Sequence, residues 1–146
     1  MFVEPDPAIM RLVGDKIAAK QLAQQAGVPI APWSGGPVAS VEEALAHADR
    51  IGLPVMIKAA AGGRSRGIRR VDKLSAFPAA FASARDEALQ AFGDGTLVLE
   101  QVISPARHIE VQIIADGQGT AWPIGVRDCS YQHGNQKVIE SLPARH

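Results

Sequence analysis

From Pro54 to Val71 the chain reads Pro-Val-Met-Ile-Lys-Ala-Ala-Ala-Gly-Gly-Arg-Ser-Arg-Gly-Ile-Arg-Arg-Val, and no other stretch restricts the fold as much. An apolar strand ends in Lys58, small residues and glycines make a turn, and a second strand begins near Gly67. Glycines let backbone N–H groups approach an anion without Cβ interference, and a lysine at the strand end adds positive charge to the same place. The pattern fits a phosphate clamp; a surface hairpin with a permissive loop is the plainer alternative. Neither standard nucleotide fingerprint is present, because no Lys-Ser or Lys-Thr follows the glycines and no Gly-x-Gly-x-x-Gly opens a helix. A strand follows instead, which makes the loop a candidate lid. Arg64, Arg66, Arg69 and Arg70 add a local basic patch that suits polyphosphate, or four solvated guanidiniums.

The remaining bulk properties narrow the setting. A chain of 146 residues is about one domain's worth and buries roughly 68 to 70% of its unfolded surface, enough for a core. Fifteen basic and fifteen acidic residues cancel, so no global charge favours nucleic acid or an anionic membrane as partner, and any anion site must be local. Cys129 is the single cysteine, which excludes an intrachain disulfide or a multi-cysteine zinc site and fits a reducing compartment. With no apolar run near the roughly 18 residues of a membrane helix and no signal-peptide pattern at Met1–Pro5, a cytoplasmic location is expected.

Helix signals dominate the first half. Asp6-Pro7 caps a first helix carrying Ile9, Met10, Leu12 and Val13. Asp15 caps a second, running to about Ala26 with Gly27 as the stop. Lys16 sits in its first turn, where a cation opposes the macrodipole; a bound anion or a nearby carboxylate would account for it, as would plain solvation. Ser40-Val41-Glu42-Glu43 is a capping box for a helix ending near Gly52. Another helix is expected from Ala76 to Phe92, with Ser75 as cap and Pro78 in the first turn.

Strand signals dominate the second half. Thr96 to Val102 is an apolar run broken by Glu100-Gln101, a pair that could meet a purine edge or simply mark a sheet edge. His108 to Ala115 alternates, which predicts a core face of Ile109, Val111 and Ile113 and an opposite face of His108, Glu110 and Gln112. His108 and Glu110 suit contacts to ribose and phosphate, or a hydrogen-bonded pair on a solvated face. A hairpin turn at Asp116–Gly119 leads to a strand from Thr120 to Arg127. The tail from Asp128 is polar, with a short strand at Lys137–Glu140. Its run Gln132–Lys137 is dense in hydrogen-bonding groups, as a solvated loop also would be.

Six motifs in order carry a resemblance: Gly14-Asp15-Lys16, Pro54–Ala59, Arg66–Arg69, Arg107–Gln112, Arg127–Ser130 and Gln136–Glu140. Together they resemble the biotin carboxylase branch of the ATP-grasp family, over essentially the whole chain. The resemblance implies an α/β (α+β) fold: an ATP-grasp lid subdomain built on strands around Lys58, Ile68, Val98 and His108. Residues 1–53 would be an N-terminal helical piece, 54–115 the lid, and 116–146 a truncated start of the large subdomain. It also implies the ATP-binding portion of an enzyme that uses MgATP to activate bicarbonate and then carboxylates biotin, with a biotin carboxyl carrier domain and the remaining carboxylase segments as partners. By carry-over, Lys16 and Lys58 contact ATP phosphates; Gly62, Gly63, Arg64 and Ser65 belong to the lid; Glu100, Gln101, Val102 and Ile103 hold adenine; His108 and Asn135 bind nucleotide; Lys137 faces bicarbonate.

The pattern departs from the family at several places. Arg64 and Ser65 replace lid glycines, Gln101 a basic residue, His133-Gly134 two arginines and Ser141 a glutamate. The family's magnesium carboxylates and glutamate base lie in a following segment that these motifs do not include. A catalytically inactive remnant kept as a binding or interaction module, or an ATP-grasp ligase of the carbamoyl phosphate synthetase type, are the alternative readings.

Overall fold

The computed structural model describes residues 5–61, 66–133 and 136–142. Gly62, Gly63, Arg64, Ser65 and Asn135, expected above to line the nucleotide, lie outside these residues. The chain divides into two compact units, Met1–Ile103 and Ser104–His146.

In the first unit, helices α1 (Pro7–Gly14) and α2 (Lys16–Gln25) start where the capping signals lie. The Asp6 carboxylate accepts from the Ala8 N–H at 2.7 Å, and Asp15 accepts from Ile17 and Ala18 at 2.8 and 3.0 Å. These side chains satisfy donors that the first helical turn leaves open. Helix α3 (Val41–Ile51) opens on the capping box: Glu43 N–H donates to Ser40 Oγ at 3.2 Å, and the Glu43 carboxylate reaches back to the Ala39 N–H at 2.8 Å.

Strands β1 (Val55–Ala59), β2 (Ile68–Val71) and β3 (Leu97–Gln101) form an antiparallel sheet in the order β2-β1-β3. The segment before α3 runs along the free edge of β3: Ser34 N–H donates to Leu99 O, Val38 N–H to Leu97 O and Gln101 N–H to Pro32 O, all within 2.9 Å. Strand alternation gives the sheet two different faces. Val55, Ile57, Ala59, Val71, Leu97 and Leu99 point into a core closed by Ala44, Ala48 and Ile51 of α3 and by Phe77, Phe81, Ala84 and Ala88 of helix α4 (Phe77–Phe92). The other face carries Lys58 and Glu100.

Two sequence expectations change here. Ser75 does not cap α4. It lies in a 3-10 turn (Leu74–Ala76) that leads into the helix, and the capping position falls on Ala76 with no side-chain bond. The strand beginning after His108 does not join the Lys58 sheet. It is β4 (Ile109–Ala115), paired with β5 (Ala121–His133), which pairs in turn with β6 (Gln136–Ser141). The Asp116–Gly119 turn explains this, since it folds the chain straight back and gives β4 its neighbour: Asp116 N–H donates to Thr120 O at 3.1 Å.

The second unit also corrects the expected core face. Ile109, Val111 and Ile113 are 43, 53 and 51% exposed. Among the described residues the unit holds no helix, so nothing within it covers that face of the sheet. Cys129 is buried, and burial pushes its thiol above the usual range. Strand β5 runs on to His133, so part of the polar tail is ladder rather than loop. Among the described residues no helix is long and apolar enough to cross a membrane.

Candidate functional site

One face of β1 and β3, together with α2, builds a cluster of like charges around one carboxylate. Lys58 pairs in register with Val98, and Met56 with Glu100, so Lys58 and Glu100 are diagonal neighbours on the same face. The Lys58 ammonium donates to Glu100 Oε1 at 2.7 Å. Lys20 meets the other oxygen, Oε2, at 3.0 Å. Burial pushes the Glu100 carboxyl up, but the hydrogen bonds and charges of Lys58 and Lys20 outweigh it and hold the group below the usual carboxylate range.

Lys16, one helical turn before Lys20, shares its face of α2. Its Nζ donates to Ala59 O at 3.1 Å and Ala60 O at 3.3 Å, which brings the ammonium to the end of β1, where the glycine loop begins. Burial, with the Lys58 charge, lowers the Lys16 pKa from its ordinary value, against the pull of Asp15 and Glu100. Two ammonium groups thus pair with one carboxylate, with a third close by. A cavity of about 340 Å³ is lined by Gly14, Asp15, Ile17, Ala60, Ala61, Asp94 and Thr96. Ammonium groups gathered at a glycine loop are suited to the oxygens of an oligophosphate.

The other members of the expected adenine stretch are placed unevenly. The Gln101 amide donates to Ile51 O at 3.3 Å and so turns toward α3. Val102 N–H donates to Pro54 O at 3.0 Å, whereas Ile103 is 55% exposed. The polar side chains of this stretch are thus engaged within the protein, Glu100 by two lysines and Gln101 by Ile51.

In the second unit the hub is Glu110. It receives Arg127 Nη2 at 2.9 Å, lies 3.0 Å from His108 Nε2, and accepts a hydrogen bond from Lys137. Arg127 also reaches Glu140 at 3.1 Å. The Lys137 hydrogen bond is the first cause of the depressed Glu110 pKa, and the same contact raises that of Lys137. His108 Nδ1 lies 2.7 Å from the Gln132 amide nitrogen, and its backbone N–H donates to Ser130 Oγ at 2.9 Å. His108 and Lys137, both expected at the site, therefore meet through Glu110. Nearby, the Asp128 carboxyl is held down to about 2 by the Ser130 hydroxyl, then by Arg107. Among the described residues no group of three or more His, Cys, Asp or Glu side chains is placed to hold a metal ion.

Lys20 and Trp33 were not singled out by the sequence reading. Lys20 was detectable in principle, because a lysine four residues after Lys16 must share its helical face. Trp33 was not, since its place along β3 depends on the path of a loop.

An antiparallel sheet with a lysine-rich face beside a glycine loop defines a nucleotide-binding class, and comparison with known proteins makes it specific. Residues 15–146 match the carbamoyl-phosphate synthase L chain, ATP binding domain family, and the chain belongs to that family, an ATP-grasp family. Pyruvate carboxylase 1 of Caenorhabditis elegans is 46% identical over 144 residues, a match covering 99% of this chain and 12% of that one. The structure of a biotin carboxylase from Campylobacter jejuni in complex with β,γ-ATP is similar with a TM-score of 0.93 and 48% identity, covering 98% of this chain and 32% of that chain. The biotin carboxylase domain of Hydrogenobacter thermophilus 2-oxoglutarate carboxylase, solved as a dimer with MgADP, ADP and bicarbonate, has a TM-score of 0.91 and 42% identity, covering 95% of this chain and 31% of that chain. The chain thus spans about a third of the biotin carboxylase structures and an eighth of the pyruvate carboxylase.

Proposed function

We propose that this chain is the ATP-binding portion of a biotin carboxylase. Together with the remaining segments of such an enzyme it contributes to MgATP-dependent activation of bicarbonate and carboxylation of biotin carried on a carrier domain. The observation that carries this reading is the placement of the Lys16 ammonium on the Ala59 and Ala60 carbonyls at the end of β1, with the Lys58 charge near enough to lower its pKa. Phosphoryl transfer depends on positioning and on neutralising charge, and fixed ammonium groups with backbone donors supply both. Lys16 and Lys58 take the phosphate oxygens, and Glu100 to Ile103 hold adenine. His108 and Asn135 contribute to nucleotide binding, and Lys137, held on Glu110, faces bicarbonate.

The similar structures solved with ATP, or with ADP and bicarbonate, are biotin carboxylases, which supports this reading over a ligase of the carbamoyl phosphate synthetase type. The test is a calorimetric titration of the purified chain with ATP. Saturable binding by the wild type, weakened about tenfold or more in Lys58→Ala, is expected. Absence of saturable binding, with Lys58→Ala indistinguishable from wild type, would favour the inactive remnant.

A further inference from the structure

The nucleotide-binding reading leaves one difficulty. Lys58, which should hold phosphate, already holds Glu100 at 2.7 Å. To reach an incoming polyphosphate it must release a carboxylate whose side chain is only 17% exposed. A partly buried carboxylate left without a partner is costly, so Glu100 alone would retain Lys58.

Lys20 resolves this. It occupies the second oxygen of the same carboxylate at 3.0 Å, with its side chain 21% exposed. Its ammonium lies 5.6 Å from the centroid of the Trp33 ring, and the ring is itself fixed: Trp33 is 4% exposed, and its Nε1–H donates to Gln24 Oε1 at 3.1 Å. Lys20 is therefore located before any ligand arrives.

We propose that Lys20 is a positioning residue for nucleotide binding: it keeps the Glu100 carboxylate paired, so that Lys58 can exchange that carboxylate for phosphate. The inference rests on the function proposed above and deepens it. Lys20 acts through Glu100 and Lys58 and makes no contact with the nucleotide. The exchange is an ion-pair swap in which no covalent bond changes.

The experiment is ATP titration of the full chain by calorimetry, comparing Lys20→Met and Lys20→Arg, each alone and combined with Glu100→Gln. Lys20→Met should weaken ATP binding about tenfold, equivalent to about 1.4 kcal/mol, and Lys20→Arg should restore it to within about twofold, since either cation pairs with the carboxylate. In the Glu100→Gln background, where no carboxylate retains Lys58, Lys20→Met should have no further effect. The same loss in both backgrounds would mean that Lys20 acts on the nucleotide directly and would overturn the proposal. So would wild-type affinity in Lys20→Met. If Lys20→Met does not fold, Lys20→Gln is read in the same way. A wild-type chain that binds no ATP is a different result, because it overturns the nucleotide-binding reading itself.

Discussion

Gly67 is where the returning strand leaves the glycine loop, and Gly67→Ala should destabilise the first unit by an amount that can be built from its surroundings. Its φ is +64°, in the left-handed region, and a Cβ there would lie 2.7 Å from the Ala59 Cβ and 3.6 Å from the Ala88 Cβ. Both neighbours are within 1% of full burial, and the Gly67 carbonyl accepts from the Ala59 N–H at 2.8 Å, so the backbone has little room to withdraw. Left-handed φ costs an alanine about 1 to 2 kcal/mol, and overpacking a filled core adds about 1 to 3 kcal/mol. The expected loss is therefore about 2 to 5 kcal/mol. Urea unfolding followed by Trp33 fluorescence in a Trp122→Phe background reads the first unit alone. Ala59→Gly removes the clashing methyl, so in that background Gly67→Ala should cost only the backbone share, about 1 to 2 kcal/mol. A Gly67→Ala variant within about 0.5 kcal/mol of wild type, or a cost unchanged by Ala59→Gly, would refute the reasoning.

Two further expectations concern pH. The lowered Lys16 pKa means that its ammonium loses its proton at a lower pH than an ordinary lysine; ATP affinity should fall as pH rises through that lowered value, and the alkaline limb should shift in Lys16→Arg when Kd is measured across pH. The Asp128 carboxyl titrates at about 2 against an ordinary 3.8. Its stabilisation is fully present above the ordinary value and is lost as pH falls from about 4 toward about 2, so Ser130→Ala, which removes the first cause of the shift, should move the acid unfolding midpoint of the second unit upward in a circular-dichroism titration.

Local signals in this sequence were legible where one residue type has one physical use. Asp6, Asp15 and the Ser40 capping box mark three helix starts because short polar side chains satisfy open N–H groups wherever a helix begins. Gly93, left-handed at φ +71°, ends α4 for the complementary reason. Ser75 misled because the same residue type also suits a 3-10 turn, and the distinction depends on how Phe77 enters the core. The partner of β4 was not legible, since alternation tells which face a residue occupies but not which strand lies beside it. The expected core face of β4 failed for a related reason: apolar alternation distinguishes two faces, and none of the described residues of the second unit packs over the apolar one. Lys16, Lys58 and Glu100 can each be singled out from the sequence as candidates. Their arrangement cannot be read there, because Glu100 as an acceptor for two lysines depends on the β1–β3 register and on the approach of α2.

If a nucleotide's phosphates bind at the end of β1 against Lys16 and Lys58, hydrogen–deuterium exchange of the full chain with saturating ATP should be slowed in peptides covering residues 55–71 and 97–103, relative to the chain without ATP. Saturable ATP binding that leaves both segments unprotected would place the phosphates elsewhere.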